Sequence, residues 1–62
     1  MGNNVKQYRE SFAWTKAELA RKANVTPQTV ARMEKDLPTR RDSELKVAKA
    51  LEKSHEEVFT SS

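Results

Sequence analysis

Four residues, Ala23 to Thr26, connect two segments of the chain that both begin with strong helix-start signals. Thr15 and Glu18 have the spacing of a capping box, in which each side chain satisfies a free backbone N–H at the start of a helix. Thr26 precedes Pro27, and proline at the first helical position loses no hydrogen bond and has its backbone angle already set. The sequence therefore predicts two consecutive helices that meet at a steep angle across a short turn.

The turn itself contains a residue suited to this geometry. One residue in such a turn usually adopts a left-handed backbone conformation, which glycine tolerates best and asparagine next best. Asn24 is well suited to that position, and Ala20 and Ala23 keep the first helix slim where the second crosses it. Together these features predict a helix-turn-helix between about Lys16 and Lys35.

The composition favours an all-α fold in one small domain. The 62 residues include one glycine and two prolines, and no strand-like alternation of β-branched residues occurs. A chain of this length makes one domain at most, 1–62, and without cysteine it has neither disulfides nor a cysteine-based zinc site. The sequence thus predicts a compact bundle of five short helices. Whether the chain is complete or part of a longer protein stays open.

Three further helices are expected around this pair. Asn3 or Asn4 is expected to cap the first helix. The fourth helix is expected to begin within 39–43, with an inward face formed by Leu45, Ala48 and Leu51. Ser54 and Glu57 have a second capping-box spacing, which predicts a fifth helix that brings two residues to the core, Val58 and Phe59.

The second helix of the pair has two faces of different chemistry. One face contains Val30, Met33 and Glu34, and the other contains Gln28, Ala31, Arg32 and Lys35. On the polar face, an amide at Gln28 can bond the adenine edge and the guanidinium of Arg32 can bond guanine, while Lys35 suits phosphate. Lys16, at the start of the preceding helix, also suits a phosphate because a helix N-terminus attracts anions.

The positive charge is concentrated in the part of the chain that contains these helices. The net charge is +3; residues 1–38 carry seven bases and four acids, whereas residues 39–62 carry five of each. This distribution favours a polyanionic partner. No apolar run is long enough to span a bilayer and no secretory pattern is present, so a cytoplasmic protein without membrane contact is expected.

Catalytic and ligand-binding functions find little support in the sequence. His55 has no partner at ligand spacing, and it is expected to be exposed in the first turn of the fifth helix, so no metal site is predicted. One histidine and scattered carboxylates do not assemble a nucleophile, a base and an orienting group. We therefore expect no enzymatic activity, no cofactor and no small-molecule ligand.

Four segments together resemble the Cro and lambda-repressor-like helix-turn-helix domains of bacterial and phage regulators. In order along the chain, they are residues 5–9, 15–20, 25–34 and 47–51. The resemblance covers nearly the whole chain and implies the same five-helix fold. It also implies DNA contacts at Lys16, Thr26, Pro27, Gln28 and Arg32, and a buried ion pair between Arg9 and Glu34.

The sequence departs from the family pattern at several positions. Ala13 and Glu52 stand where the family usually has glycine after a helix. The stretch 35–44 matches the family spacing poorly, which leaves open whether Arg40 and Arg41 reach phosphate. Pro27 stands at a frequent base-contact position without a hydrogen-bonding side chain, so apolar contact alone can provide specificity there.

The predicted function is a sequence-specific DNA-binding transcriptional regulator, and by resemblance a repressor, that places helix 27–34 in the major groove of double-stranded DNA. One such domain reads few bases, so a homodimer on a palindromic operator is expected. Two simpler interpretations stay open at the site: Arg32 can pair with Asp36 on a solvated face, and Gln28 can be an ordinary surface residue.

The alternative function is a protein-interaction module on the same scaffold. It would present Phe12 and Trp14, with Val58 or Phe59, to a protein partner. Trp14 is expected to be partly in the core, whereas Phe12 is a candidate for an exposed contact. The modest net charge and the missing donor at Pro27 keep this alternative open.

Overall fold

A computed structural model of the chain describes residues 4–59, which form five α-helices and no strand. The helices are α1 (Val5–Ser11), α2 (Lys16–Ala23), α3 (Pro27–Glu34), α4 (Arg41–Ala50) and α5 (His55–Phe59). The fold class predicted from the sequence is confirmed. Asn3, expected as one possible cap of α1, lies outside the described residues.

Reciprocal capping boxes begin α2 and α5, as the sequence predicts. At α2 the Glu18 N–H donates to Thr15 Oγ1 over 3.1 Å and the Thr15 N–H donates to Glu18 Oε1 over 2.8 Å. Glu57 and Ser54 repeat the arrangement at α5, over 3.1 and 3.0 Å. The hydrogen bond from the backbone of its capping partner lowers the pKa of each glutamate.

The ends of α1 to α4 share one geometry, in which a residue one or two positions beyond the helix is left-handed. These residues are Ala13, Asn24, Asp36 and Glu52, with φ of 60°, 59°, 61° and 59°. In each case the next N–H bonds a carbonyl five residues back, an arrangement known as the Schellman motif: Trp14 to Arg9, Val25 to Ala20, Leu37 to Arg32 and Lys53 to Ala48. The left-handed Asn24 predicted from the sequence is present, and none of the four positions is glycine.

The core contains residues from all five helices. Its fully buried side chains include Val5, Leu19, Val30, Met33, Val47, Leu51 and Val58. The predicted inward face of α4 is wrong at Leu45, which is 46% exposed while Val47 is buried. At 3.6 residues per turn, Leu45 lies about 115° round the helix axis from the centre of the face formed by Val47, Ala48 and Leu51.

Asn4 joins the beginning of α1 to the end of α5. Its backbone N–H donates to the carbonyl of Val58 over 2.7 Å, and its side-chain Nδ2 donates to the carbonyl of Glu57 over 2.8 Å. Asn4 therefore stands at the cap position of α1 without a side-chain cap bond, contrary to the expectation from sequence. The backbone of Asn4, with φ of −101° and ψ of 14°, is not in the extended conformation that a cap residue adopts, and its side-chain nitrogen is bonded to α5 instead.

His55 is half-buried between α4 and α5, so the prediction that it is exposed is wrong. Its Nε2 lies 2.9 Å from Glu44 Oε1, and its ring stacks on Phe59 with 4.9 Å between centroids. The other Glu44 oxygen, Oε2, accepts a hydrogen bond from Thr39 Oγ1 over 2.9 Å. The packing of α5 against α4 provides these partners, and the sequence around His55 alone does not indicate them.

Candidate nucleic-acid interface

A buried ion pair joins α3 to α1. Arg9 Nε lies 2.6 Å from Glu34 Oε2, and Arg9 Nη2 donates to Glu34 Oε1 over 3.2 Å. The third guanidinium nitrogen, Nη1, donates to the carbonyl of Trp14 over 2.7 Å. The two charged side chains are only 10% and 5% exposed, and the hydrogen bond to Glu34 raises the pKa of Arg9. The pair joins α1 to the C-terminal end of α3, and it is the pair that the family resemblance implies.

The start of α3 is exposed and held by hydroxyl groups. Pro27 occupies the first turn, and the Thr29 N–H donates to Thr26 Oγ1 over 3.2 Å. The two hydroxyl oxygens of Thr26 and Thr29 lie 2.9 Å apart, so they share one hydrogen bond. The sequence predicts Thr26 at this end of the helix but does not single out Thr29. The signal available was its position three residues after the cap.

The two faces of α3 separate as the sequence predicts. Val30 and Met33 are buried, whereas Gln28, Arg32 and Lys35 are exposed. The side chains of Lys16, Gln28 and Lys35 form no hydrogen bond or ion pair within the described part of the chain. They are therefore free to contact a molecule outside it, although no contact joins the three to one another.

Arg32 lines an open groove between α3 and the start of α4. The groove has a volume of about 380 Å³ and is lined by Thr29, Arg32, Pro38, Thr39, Arg40 and Ser43. Arg32 Nη2 donates to the carbonyl of Pro38 over 3.2 Å, and within residues 4–59 it forms no ion pair with Asp36. The groove thus brings Arg40 beside Arg32, a neighbour that the poorly matched spacing of 35–44 did not indicate.

Four exposed cations in and around α2, α3 and the start of α4 lack carboxylate partners among residues 4–59. Lys16, Arg32, Lys35 and Arg40 are all exposed, and none forms an ion pair there. Glu34 is neutralised by Arg9 beneath the surface. The positive charges of these four side chains therefore remain available to an anion such as a phosphate.

A second, aromatic surface lies where α1 passes into α2. Phe12 is 40% exposed and stacks on Trp14, with ring centroids 4.6 Å apart and planes 18° apart. Trp14 is half-buried against the core, and Lys22 Nζ lies 5.0 Å from the centroid of its ring. The aromatic side chain most accessible to a partner is therefore Phe12.

Residues 4–59 contain neither a cluster of metal-ligating side chains nor a membrane-spanning helix. No group of three or more histidine, cysteine, aspartate or glutamate side chains lies close enough there to hold a metal ion. None of the five helices is long and apolar enough to cross a bilayer.

The consecutive helices α2 and α3, the left-handed turn between them and the exposed polar face of α3 define a DNA-binding helix-turn-helix domain inside an all-helical bundle. The profile of the helix-turn-helix family matches residues 5–58, and the chain belongs to this family. The predicted resemblance is thereby confirmed.

A solved structure supports the same assignment. One chain of the complex between the SinR protein and the SinI protein is similar, with 31% sequence identity and a TM-score of 0.73. The match covers 84% of the present chain and 52% of the other, so the present chain corresponds to about half of that protein. No curated protein matches the chain.

Proposed function

We propose that the protein is a sequence-specific transcriptional repressor that inserts α3 into the major groove of DNA while α2 lies across the backbone. The observation that carries this proposal is the outer face of α3, where polar and cationic side chains without carboxylate partners among residues 4–59 project from a helix that the Arg9–Glu34 pair joins to α1. A rigid helix with a free polar face suits base recognition, because its donors need little reorganisation on binding.

The roles of the side chains follow from their chemistry. Arg32 is proposed to bond guanine and Gln28 adenine, while Pro27 provides apolar contact at the start of the helix. Phosphate contacts are proposed for Thr26, whose hydroxyl is exposed, and for a set of cations, Lys16, Lys35 and Arg40. Arg40 enters this set because it lines the groove beside Arg32.

The working unit is proposed to be two copies on a palindromic operator. A single domain of this size makes few base contacts, whereas two copies double the contacts and impose a fixed spacing on the site. We propose that the protein acts on DNA in the cytoplasm and catalyses no reaction. It also takes residues 1–62 as one DNA-binding domain.

A protein-interaction module is the second candidate function, and one observation favours it. The exposed Phe12 stacks on Trp14 outside the α3 surface, and aromatic side chains are enriched in protein interfaces. If the domain is a protein-interaction module, the cations of α3 are expected to bind DNA of any sequence equally well. The two functions therefore differ in their response to DNA sequence.

The deciding experiment measures binding to selected and random duplex DNA over a range of salt concentrations. Phosphate contacts make the logarithm of affinity fall linearly with the logarithm of salt concentration. We expect Lys35→Ala to weaken binding to all sequences and to flatten the salt slope by about 1, whereas Arg32→Ala reduces the preference for the selected site. Lys49→Ala, an exposed lysine of α4, is the matched control and should change neither quantity.

Equal losses on every sequence for Arg32→Ala and Lys35→Ala would remove Arg32 as a base reader. Absence of salt-dependent binding to any duplex, even at low ionic strength, would favour the protein-interaction module instead. In that case a Phe12→Ala variant is the starting point for tests of partner binding.

A further inference from the structure

Two hydrogen bonds join Arg32 to the loop that follows α3, one through its backbone carbonyl and one through its guanidinium. Its backbone carbonyl accepts a hydrogen bond from the Leu37 N–H over 2.9 Å, and its Nη2 donates to the carbonyl of Pro38 over 3.2 Å. The pyrrolidine ring of Pro38 removes one of the two backbone rotations that place this carbonyl. The guanidinium is therefore bonded to a restrained part of the loop.

Arg9 provides a comparison within the same molecule. It occupies the corresponding position in α1, and its guanidinium also donates to a carbonyl beyond the left-handed residue, that of Trp14. The Arg9 charge is neutralised by Glu34, whereas Arg32 has no carboxylate partner within residues 4–59. The arrangement at α3 thus orders an arginine and leaves its charge for a ligand.

The hydrogen bond to Pro38 also leaves the guanidinium able to recognise a base. A guanidinium has five N–H donors, arranged so that two neighbouring edges each present a pair. Nη2 contributes one hydrogen to each of these edges. Whichever hydrogen the Pro38 carbonyl accepts, the other edge keeps both donors, which is the pair that guanine O6 and N7 require.

We infer that Pro38 is a positioning residue for base recognition, whose carbonyl orders the Arg32 guanidinium before DNA is bound. This inference rests on the proposed function. Immobilising a long side chain at an interface opposes binding, and an arginine that is already ordered avoids part of that loss. The expected gain at the base pair read by Arg32 is about two- to tenfold in affinity.

The test compares Pro38→Gly with the parent on the selected operator and on an operator altered at the guanine read by Arg32. The ratio of the two dissociation constants is expected to fall by about two- to tenfold in Pro38→Gly. The salt slope is expected to stay unchanged because the variant removes no charge. In an Arg32→Ala background, Pro38→Gly is expected to cause no further fall in the ratio.

An unchanged ratio in Pro38→Gly, or the same fall in the Arg32→Ala background, overturns the inference and leaves the proposed function standing. Absence of salt-dependent DNA binding by the parent overturns the proposed function and the inference with it.

A measurement on the free protein keeps the inference testable if Pro38→Gly fails to fold. The ¹⁵N relaxation of the side-chain Nε is expected to show Arg32 as more ordered than Arg40, which also lines the groove but whose side chain donates no hydrogen bond within residues 4–59. A folded Pro38→Gly protein, or Pro38→Ala in its place, should lose this difference. Equal mobility of the two arginines in the parent overturns the inference without any reference to DNA.

Discussion

We expect loss of either partner of the Arg9–Glu34 pair to lower stability, because both charges are almost fully removed from solvent. Replacing either residue by alanine leaves the other charge buried without its partner, which is costly. We expect Arg9→Ala and Glu34→Ala each to reduce the free energy of unfolding by about 3 kcal/mol, measured by urea denaturation.

The matched control for this prediction is the exposed pair of Lys46 and Asp42, whose Nζ and Oδ2 atoms lie 3.7 Å apart on α4. Surface pairs of this kind contribute little, so Lys46→Ala should change stability by less than about 1 kcal/mol. Parent-like unfolding of both Arg9→Ala and Glu34→Ala would mean that the buried pair has no structural role.

Glycine substitutions at two left-handed residues are expected to have the opposite effect, a gain in stability. Ala13 and Glu52 adopt φ of 60° and 59°, where a Cβ atom costs about 1–2 kcal/mol and glycine avoids the clash. After allowance for the greater freedom of glycine in the unfolded chain, Ala13→Gly and Glu52→Gly should each stabilise the protein by about 1 kcal/mol. Thermal unfolding is the measurement, with an expected rise of roughly 4–8 °C for each change.

The control for the glycine variants is Ala31→Gly, in the middle of α3, which should destabilise by about 1 kcal/mol because the backbone there is helical. If Ala13→Gly and Glu52→Gly lowered the melting temperature as Ala31→Gly does, the two helix ends would not carry the strain assigned to them.

At the level of the helix, the capping boxes of α2 and α5 couple stability to pH. The pKa values of Glu18 and Glu57 are lowered in the folded state by hydrogen bonds from the backbones of Thr15 and Ser54. The unfolded chain therefore binds protons more readily, and stability falls as the pH drops through the carboxylate range below about 4.5.

A variant with Glu18→Gln and Glu57→Gln tests this coupling, because glutamine can keep the capping geometry without titrating. Urea denaturation between about pH 6 and pH 3 should show a steeper loss of stability in the parent than in the double variant. Parallel curves for the two proteins would show that the caps do not contribute to the acid response.

The helices differ in how well their own residues predict them. α2 and α3 begin and end where the sequence predicts, because Thr15, Thr26 and Asn24 act within one turn of their own position. The inward face of α4 does not follow from local spacing: Leu45 and Val47 are both apolar, and the positions of the other helices decide which is buried. This choice depends on contacts with helices that are distant in the sequence, so the sequence of α4 alone does not determine it.

The site shows the same division. The exposed face of α3 follows from helical periodicity, so Gln28 and Arg32 could be selected from the sequence. Arg40 joins Arg32 in the groove only because the loop after α3 folds back on the helix, whereas Thr29 lies one turn before Arg32 on α3 itself. The spacing of that loop has no periodic signal, and its geometry depends on the left-handed Asp36.

For the whole molecule, the proposed pair of copies predicts a dependence on operator geometry. Two half-sites one helical turn apart, about 10 base pairs, place both copies on the same side of the duplex. We expect two chains to bind such a site and the second half-site to increase affinity. Sedimentation and gel-shift titrations measure both quantities.

Insertion of about 5 base pairs between the half-sites is the control, because it rotates one copy to the opposite side of the duplex. The gain from the second half-site should then disappear. If affinity and stoichiometry were insensitive to the insertion, the two copies would bind independently and the palindrome would not be required.

The hydrogen bonds from Asn4 to Val58 and Glu57 have a consequence for how such a domain can be built into larger proteins. They bring the start of α1 and the end of α5 side by side, so a chain enters and leaves the bundle at one place. A domain with adjacent ends can be inserted within a loop of another protein or closed into a backbone circle by a short linker, with little change to its interior. Such a domain can therefore be placed at different positions along a host chain while its exposed surface stays the same.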